Sequence, residues 1–178
     1  MNNILLTGRP GIGKTTVVLR LAHLLTGRAI AGFHTEEIRE GGQRQGFGAT
    51  TFSGRTCVLA HVNLPSRHRV GRYRVDVDAF EQVVLPELAH PRDLMFIDEI
   101  GKMECFSTRF VRAVRGLLDG PATVVATVAV SGGGFIAEVK TRPDVEIWEV
   151  TGENRDELPQ RLAERIVGSG RPAPGHDC

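Results

Sequence analysis

The sequence predicts an α/β protein built on a doubly wound, mainly parallel sheet. Three observations carry that prediction. Short apolar runs alternate along the chain with segments of helical period. Two of the runs, Leu94-Met95-Phe96-Ile97 and Ala122 to Val130, are almost unbroken, as strands covered on both faces are. The first run, Asn3 to Thr7, passes through a glycine-rich turn directly into a helix-period segment.

Taken in order, Asn3 to Thr7 reads as a buried strand. Thr16 to Leu25 reads as a helix, with Val17, Val18, Leu21, Leu24 and Leu25 apolar at helical spacing. Ala29 to Ile38 and Gln45 to Phe52 read as strands joined by a turn at Gly41-Gly42, with a further strand at Cys57 to His61. They form a β-hairpin insertion carrying Glu36, Glu37, Arg39 and Arg44. Asn63 to Arg74 reads as a connection rich in arginine, at Arg67, Arg69, Arg72 and Arg74. Asp78 and Glu81 resemble a capping box opening a helix through Leu88, which Pro86 is expected to kink. Phe106 to Leu118 reads as a helix with Phe106, Phe110, Val114 and Leu117 on one side. Val145 to Val150 is expected to be a buried strand. Arg155 to Val167 reads as a last helix, with Leu158, Leu162 and Ile166 in register. Residues 1–168 are expected to form one domain, and the Gly/Pro-rich stretch Ser169 to Cys178 a disordered tail.

Composition narrows the function. A formal net charge of +1 gives no global field for nucleic acid or anionic membrane. Cys57, Cys105 and Cys178 form neither a disulfide framework nor a zinc pattern, which fits a reducing cytoplasm. His34, His61 and His68 lack metal-ligand spacing. The N-terminal apolar run is too short for a signal peptide, and no run approaches the ~20 residues of a membrane span. A monomer is expected. Cations are nineteen arginines against three lysines, so a lysine inside a motif suggests that a compact ammonium is needed there.

Two of those lysines fall in the segments that carry chemistry. Gly8-Arg9-Pro10-Gly11-Ile12-Gly13-Lys14-Thr15 fits the phosphate-loop (Walker A) pattern, followed by Thr16 at the helix start. A strand, a glycine turn and a helix in that order aim backbone N–H groups and the positive helix end at one point. Lys14 is placed to reach β- and γ-phosphates, and the Thr15 hydroxyl to ligate Mg²⁺. Asp98 and Glu99 end the run from Leu94 as a Walker B segment does. A carboxylate at the carboxyl end of a central parallel strand faces the ligand crevice. Asp98 suits the metal beside Thr15, and Glu99 suits a general base for water. The fold is therefore expected to be of the P-loop NTPase type.

A family resemblance becomes specific at Asp98-Glu99-Ile100-Gly101-Lys102-Met103-Glu104. With Gly8 to Thr16, Gly32-Phe33-His34-Thr35-Glu36-Glu37-Ile38-Arg39, Val70-Gly71-Arg72-Tyr73 and Val150-Thr151-Gly152-Glu153-Asn154-Arg155, the chain resembles the small P-loop nucleoside-triphosphatases. These comprise the vertebrate cancer-related nucleoside triphosphatase and its archaeal and bacterial relatives. The resemblance runs from about residue 2 to 166. It implies Mg²⁺-dependent hydrolysis of ATP, GTP, CTP and UTP to diphosphate and phosphate, with loose base selectivity. It also implies that Glu99 is the base and that Lys102 lies near the phosphates. The loop Ser131-Gly132-Gly133-Gly134 departs from the pattern, being glycine-rich where a polar, lysine-bearing segment is expected.

Lys102 has a separate physical reading as a cation supplied in cis to the γ-phosphoryl group, or else as a surface lysine after a turn. Gly101 beside it is read as nucleotide-contacting. Arg155 suits stacking on a base; Asn154 suits the crevice edge or a helix cap. Glu36 and Glu37 reach the site from the hairpin or face solvent. Arg109, Arg112 and Arg115 read as a solvated helix face. Two other functions compete with hydrolysis. One is a P-loop kinase using the Arg67 to Arg74 stretch as a lid. The other is a non-catalytic switch, although no Asn-Lys-x-Asp base-reading motif is present.

Overall fold

The computed structural model describes residues 3–168. The strands are β1 (Asn3–Thr7), β2 (Ile30–Glu40), β3 (Gln43–Thr51), β4 (Thr56–His61), β5 (Arg69–Val70), β6 (Tyr73–Val75), β7 (Leu94–Ile100), β8 (Thr123–Val128) and β9 (Val145–Glu149). The helices are α1 (Lys14–Leu24), α2 (Val77–Leu88), α3 (Thr108–Leu118), α4 (Phe135–Lys140) and α5 (Leu158–Gly168), with a single 3-10 turn over Glu104–Phe106. The strands form one sheet in the order β5-β6-β4-β3-β2-β7-β8-β1-β9.

The half from β2 to β9 is parallel. Alternation along β1 and β7 splits its core in two. Ile4, Leu6, Leu94 and Phe96 pack with Val17, Val18 and Leu21 of α1 and Leu158 and Leu162 of α5. Leu5, Met95 and Ile97 face the opposite way, toward Phe80 and Val84 of α2 and Phe110 and Val114 of α3. Phe33, Phe80 and Phe110 meet edge to face there, with centroids 5.3–5.9 Å apart.

The other half is antiparallel and larger than the hairpin expected. Beyond β2 and β3 it continues through β4, β6 and β5. The stretch from Asn63 to Arg74, read as a connection, thus supplies two short strands at the sheet edge, where arginines blunt further pairing. Those arginines brace backbone: Arg74 donates to the Ser66 carbonyl at 2.7 Å, and Arg72 to that of Arg44.

Several element boundaries differ from expectation. Asp76, not Asp78, caps α2, accepting from the Ala79 N–H at 2.9 Å. Glu81 instead accepts from Ser107 and Arg109. α2 continues through Pro86. The ring removes the N–H that would serve the Gln82 carbonyl, and the Arg55 guanidinium donates to that carbonyl at 2.8 Å. α3 begins at Thr108 because the Ser107 hydroxyl accepts from the Phe110 N–H. Phe106 therefore lies outside α3, half-exposed against the His68 ring, and not on the core face. β9 is an edge strand with Ile147 45% exposed, so it is not covered on both faces. α5 starts at Leu158 rather than Arg155, after turns over 152–157. α4 was not expected at all. The tail expected over Ser169 to Cys178 lies outside the described residues.

Gly32 sits on β2, the seam between the two halves. Its φ is +116°, and a Cβ there would run into the Phe96 backbone of β7. Gly32→Ala is expected to destabilise the fold by more than about 2 kcal/mol, read as a lower urea midpoint. A parental midpoint would mean that β2 and β7 separate at little cost.

Candidate active site

The carboxyl ends of β1, β8 and β7 lie side by side, with β8 in the middle. After β1 the chain turns through Gly8 with φ +150°, where a Cβ would approach the Val150 carbonyl oxygen to 2.6 Å. Only glycine fits so close to the β9 edge. α1 then begins at Lys14 with Gly13 as a cap that has no side chain to offer and no acid in the first turn. Its first N–H groups and positive dipole end stay available to an anion.

Asp98 lies opposite, where the pairing of β7 with β8 is interrupted between Ile97 and Ile100. It is buried, and both carboxylate oxygens are engaged. Oδ2 accepts from the Thr15 hydroxyl at 2.7 Å and from the Thr35 N–H at 3.4 Å. Oδ1 accepts from the Thr127 hydroxyl at 2.5 Å. Glu99 points into the adjoining cavity, its Oε2 3.6 Å from Lys14 Nζ. Lys14 Nζ also donates to the Gly8 carbonyl at 3.1 Å. Burial pushes the Glu99 carboxyl above its ordinary range and the Asp98 charge adds to this, while Lys14 pulls it back.

The cavity holds about 600 Å³. One end is walled by Gly8, Gly11, Gly13, Lys14 and Thr15, and the middle by Glu99, Gly101, Lys102 and Glu104. The far end is walled by Glu36, Glu37, Arg44, Phe47, Leu59, Val70 and Met103. β2 leaves the parallel half after Phe33 and runs on for seven residues, roughly 20 Å, carrying the hairpin past the crevice as that wall. Arg44 is fastened there by Glu37 at 2.7 Å and the Tyr73 hydroxyl at 3.0 Å.

Arg9, Pro10, Ile12 and Thr16 lie on the loop or at its exit, and Lys102 is exposed at the cavity rim. Arg155 lies outside the cavity lining, beside the loop, donating to the Ile12 carbonyl at 3.3 Å. The Asn154 amide is committed to its own turn. It accepts from the Thr151 N–H at 2.9 Å and donates to the Glu149 carbonyl at 2.8 Å. Of the helix arginines, Arg109 pairs with Glu81 and Arg115 with Glu138, both at 2.8 Å. Among the described residues no group of three or more His, Cys, Asp or Glu side chains forms a metal cluster.

A family model described as NTPase matches residues 3–163. The chain belongs to this NTPase family. It is 43% identical to the nucleoside-triphosphatase THEP1 of a Thermotoga species over 87% of this chain and 90% of that protein. It is similar to the crystal structure of THEP1 from Aquifex aeolicus, with TM-score 0.85 and 34% identity over 92% of this chain and 98% of that one. The solution structure of a human cancer-related nucleoside triphosphatase superposes with TM-score 0.82 at 38% identity, over 96% of this chain and all of that one.

Sequence reasoning passed over three residues beside this site, Thr127, Thr35 and Lys140. Thr127 is the polar residue inside the apolar β8, a signal in itself. Thr35 contributes only a backbone N–H. Lys140 was the third lysine in an arginine-rich chain. Carried on the unforeseen α4, it donates to the carbonyls of Ala129 at 2.5 Å and Val130 at 2.8 Å beside the glycine loop. Glu104 is buried, and that burial, with the charges of Glu99 and Asp98 adding, pushes its carboxyl up to about 8.

Glu104 has a consequence for stability. Its carboxyl ionises near 4.5 when unfolded and near 8 when folded, so the folded state holds the proton more tightly across that window. Stability is then lost as pH rises from about 4.5 to about 8 and levels off above. Melting temperatures of the parent are expected to fall relative to Glu104→Gln across this range. Parallel curves would show that Glu104 titrates alike in both states.

Proposed function

We propose that the chain hydrolyses nucleoside 5'-triphosphates to diphosphate and phosphate with Mg²⁺ as the metal and little preference for the base. One observation carries the reading. The Thr15 hydroxyl and the Asp98 carboxylate meet at 2.7 Å on the floor of the cavity that also receives Lys14 and Glu99. A hydroxyl and a carboxylate oxygen are the hard donors that Mg²⁺ takes when it binds with phosphates. Thr15 and Asp98 would hold it, and when bound it neutralises charge on the β- and γ-oxygens.

The chain's own groups do the rest. Backbone N–H groups of the loop from Gly8 through Arg9, Pro10 (which lacks one), Gly11, Ile12, Gly13 and Lys14 to Thr15 and Thr16 cradle the phosphates. Lys14 leaves Glu99 and the Gly8 carbonyl for the β- and γ-oxygens. Glu99 accepts a proton from a water aimed at the γ-phosphorus. Burial raises its proton affinity, which favours taking that proton. Lys102, at the rim beside Gly101, meets the charge that develops on the γ-phosphoryl oxygens. Asn154 acts by holding the turn that presents Arg155, whose flat guanidinium serves the base without reading its edge. The names of the relatives favour hydrolysis over the kinase and switch readings. The reading is completed by a single-domain monomer in the cytoplasm. The unpaired Cys57 and Cys105 suit a reducing compartment, and among the described residues no helix is long and apolar enough to cross a membrane.

Glu99→Gln is expected to bind Mg²⁺–NTP like the parent and to hydrolyse it at least ~100-fold more slowly. Asp98→Asn should raise the Mg²⁺ concentration needed for half-maximal rate as well as lower the rate. Single-turnover phosphate release over a Mg²⁺ series separates them, and a near-parental rate in Glu99→Gln would remove Glu99 as the base.

Values of kcat/KM for ATP, GTP, CTP and UTP are expected within roughly two orders of magnitude of one another, because a stacking surface discriminates less than a hydrogen-bonding pocket. One triphosphate favoured far beyond that would reveal a base-reading pocket.

A further inference from the structure

The steps above leave Glu104 without a task, yet it is built against them. It is 5% exposed and opens the 3-10 turn that follows β7. Backbone N–H groups of Gly101 and of Glu104 itself donate to its carboxyl. The same turn is closed by the Cys105 N–H on the Gly101 carbonyl at 3.1 Å and the Ser107 N–H on the Glu104 carbonyl at 3.0 Å. Gly101 leaves the space between. A Cβ at 101 would lie 2.7 Å from Glu104 Oε2 and 3.0 Å from Glu99 Oε1, so both carboxyls border the space that a side chain at 101 would enter. The other oxygen of Glu99 faces Lys14. Glu99 is thus held between a cation and a second carboxyl.

The two supports differ once substrate arrives. In the proposed reaction the triphosphate takes Lys14, and Glu99 loses its nearest cation. Glu104 stays, because backbone bonds fix its turn. Its high proton affinity leaves it neutral at pH 7, with an O–H to offer where an ionised neighbour would repel.

We propose that Glu104 is a positioning residue for the reaction: its buried carboxyl, packed with Glu99 in the space Gly101 leaves, holds the Glu99 carboxylate on the attacking water after Lys14 has gone to the phosphates. This rests on Glu99 being the base. Gly101 is required on the same grounds, since a methyl group there displaces one carboxyl or the other.

The test uses Glu104→Ala, Glu104→Gln, Gly101→Ala and the double variant Glu99→Gln/Glu104→Ala in the full chain. Single-turnover phosphate release from Mg²⁺–ATP gives the rate, and titration of a fluorescent ATP analogue gives Kd. Glu104→Ala and Gly101→Ala are expected to lower the rate by about 10–100-fold, as a misplaced catalytic group does, with Kd changed less than about threefold. Glu104→Gln, which keeps a donor in the same shape, should restore most of the rate lost in Glu104→Ala. In the Glu99→Gln background, Glu104→Ala should cost little more, because its effect runs through Glu99. A parental rate in Glu104→Ala overturns the proposal, as does Glu104→Gln as slow as Glu99→Gln, which would make Glu104 itself the ionised base. Should Glu104→Ala not fold, a parental rate in Gly101→Ala overturns it equally. If Glu99→Gln turns over normally, the assignment of the base has failed. If Glu99→Gln is slow while Glu104→Ala is normal, only the positioning role has failed.

Discussion

The Asp98 carboxylate has both oxygens occupied where four elements converge. It takes hydrogen bonds from the hydroxyls of Thr15 on α1 and Thr127 on β8 and from the Thr35 N–H on β2, while itself ending the apolar part of β7. Hydrogen bonds to a charged group contribute about 1.5–3 kcal/mol each, and a buried carboxylate stripped of its partners costs more than that. The donors therefore cannot drift without exposing an unpaired charge to the interior. This constraint holds the glycine loop against the end of β7. It places the hydroxyl and the carboxylate of the metal reading on one spot before any ligand arrives.

The antiparallel half depends on the same junction. β2 is parallel to β7 as far as Phe33 and antiparallel to β3 beyond it, so one strand belongs to both halves. Its overshoot adds a far wall of mixed apolar and charged side chains to the crevice. Edge-to-face packing of Phe33 with Phe80 and Phe110 anchors that strand beneath the overshoot. The arginine-rich segment, which a lid would need free, is used instead to finish and brace this wall.

Charge in the cavity is graded. A buried carboxylate is saturated with donors at Asp98, a half-buried one leans on a cation at Glu99, and a fully buried acid at Glu104 keeps its proton. Glu99 and Glu104 thus have their proton affinities raised by their surroundings alone. Lys14 in the loop stands 3.6 Å from Glu99, and Lys102 lies at the rim.

Much of this was legible in the sequence because it rests on local rules. Apolar runs covered on both faces, the glycine turn between strand and helix, and the acids ending β7 each follow from neighbours in the chain. So Gly8 to Thr15, Asp98 and Glu99 stood out without coordinates. Cap assignments failed where a candidate two residues away was equally good locally, as with Asp76 and Asp78. The carbonyl that Pro86 orphans finds a partner, Arg55, distant in sequence. Thr127, Thr35, Lys140 and Glu104 acquire meaning only through partners that the sheet order brings close. By itself the sequence determined the fold class, the phosphate loop and the acids opposite it, since hydrophobic period and glycine geometry act over a few residues. Only the tertiary structure decided which acid is buried, which lysine faces which carboxylate and how far the hairpin walls the cavity. Burial and pairing of charges depend on what the rest of the chain packs around them.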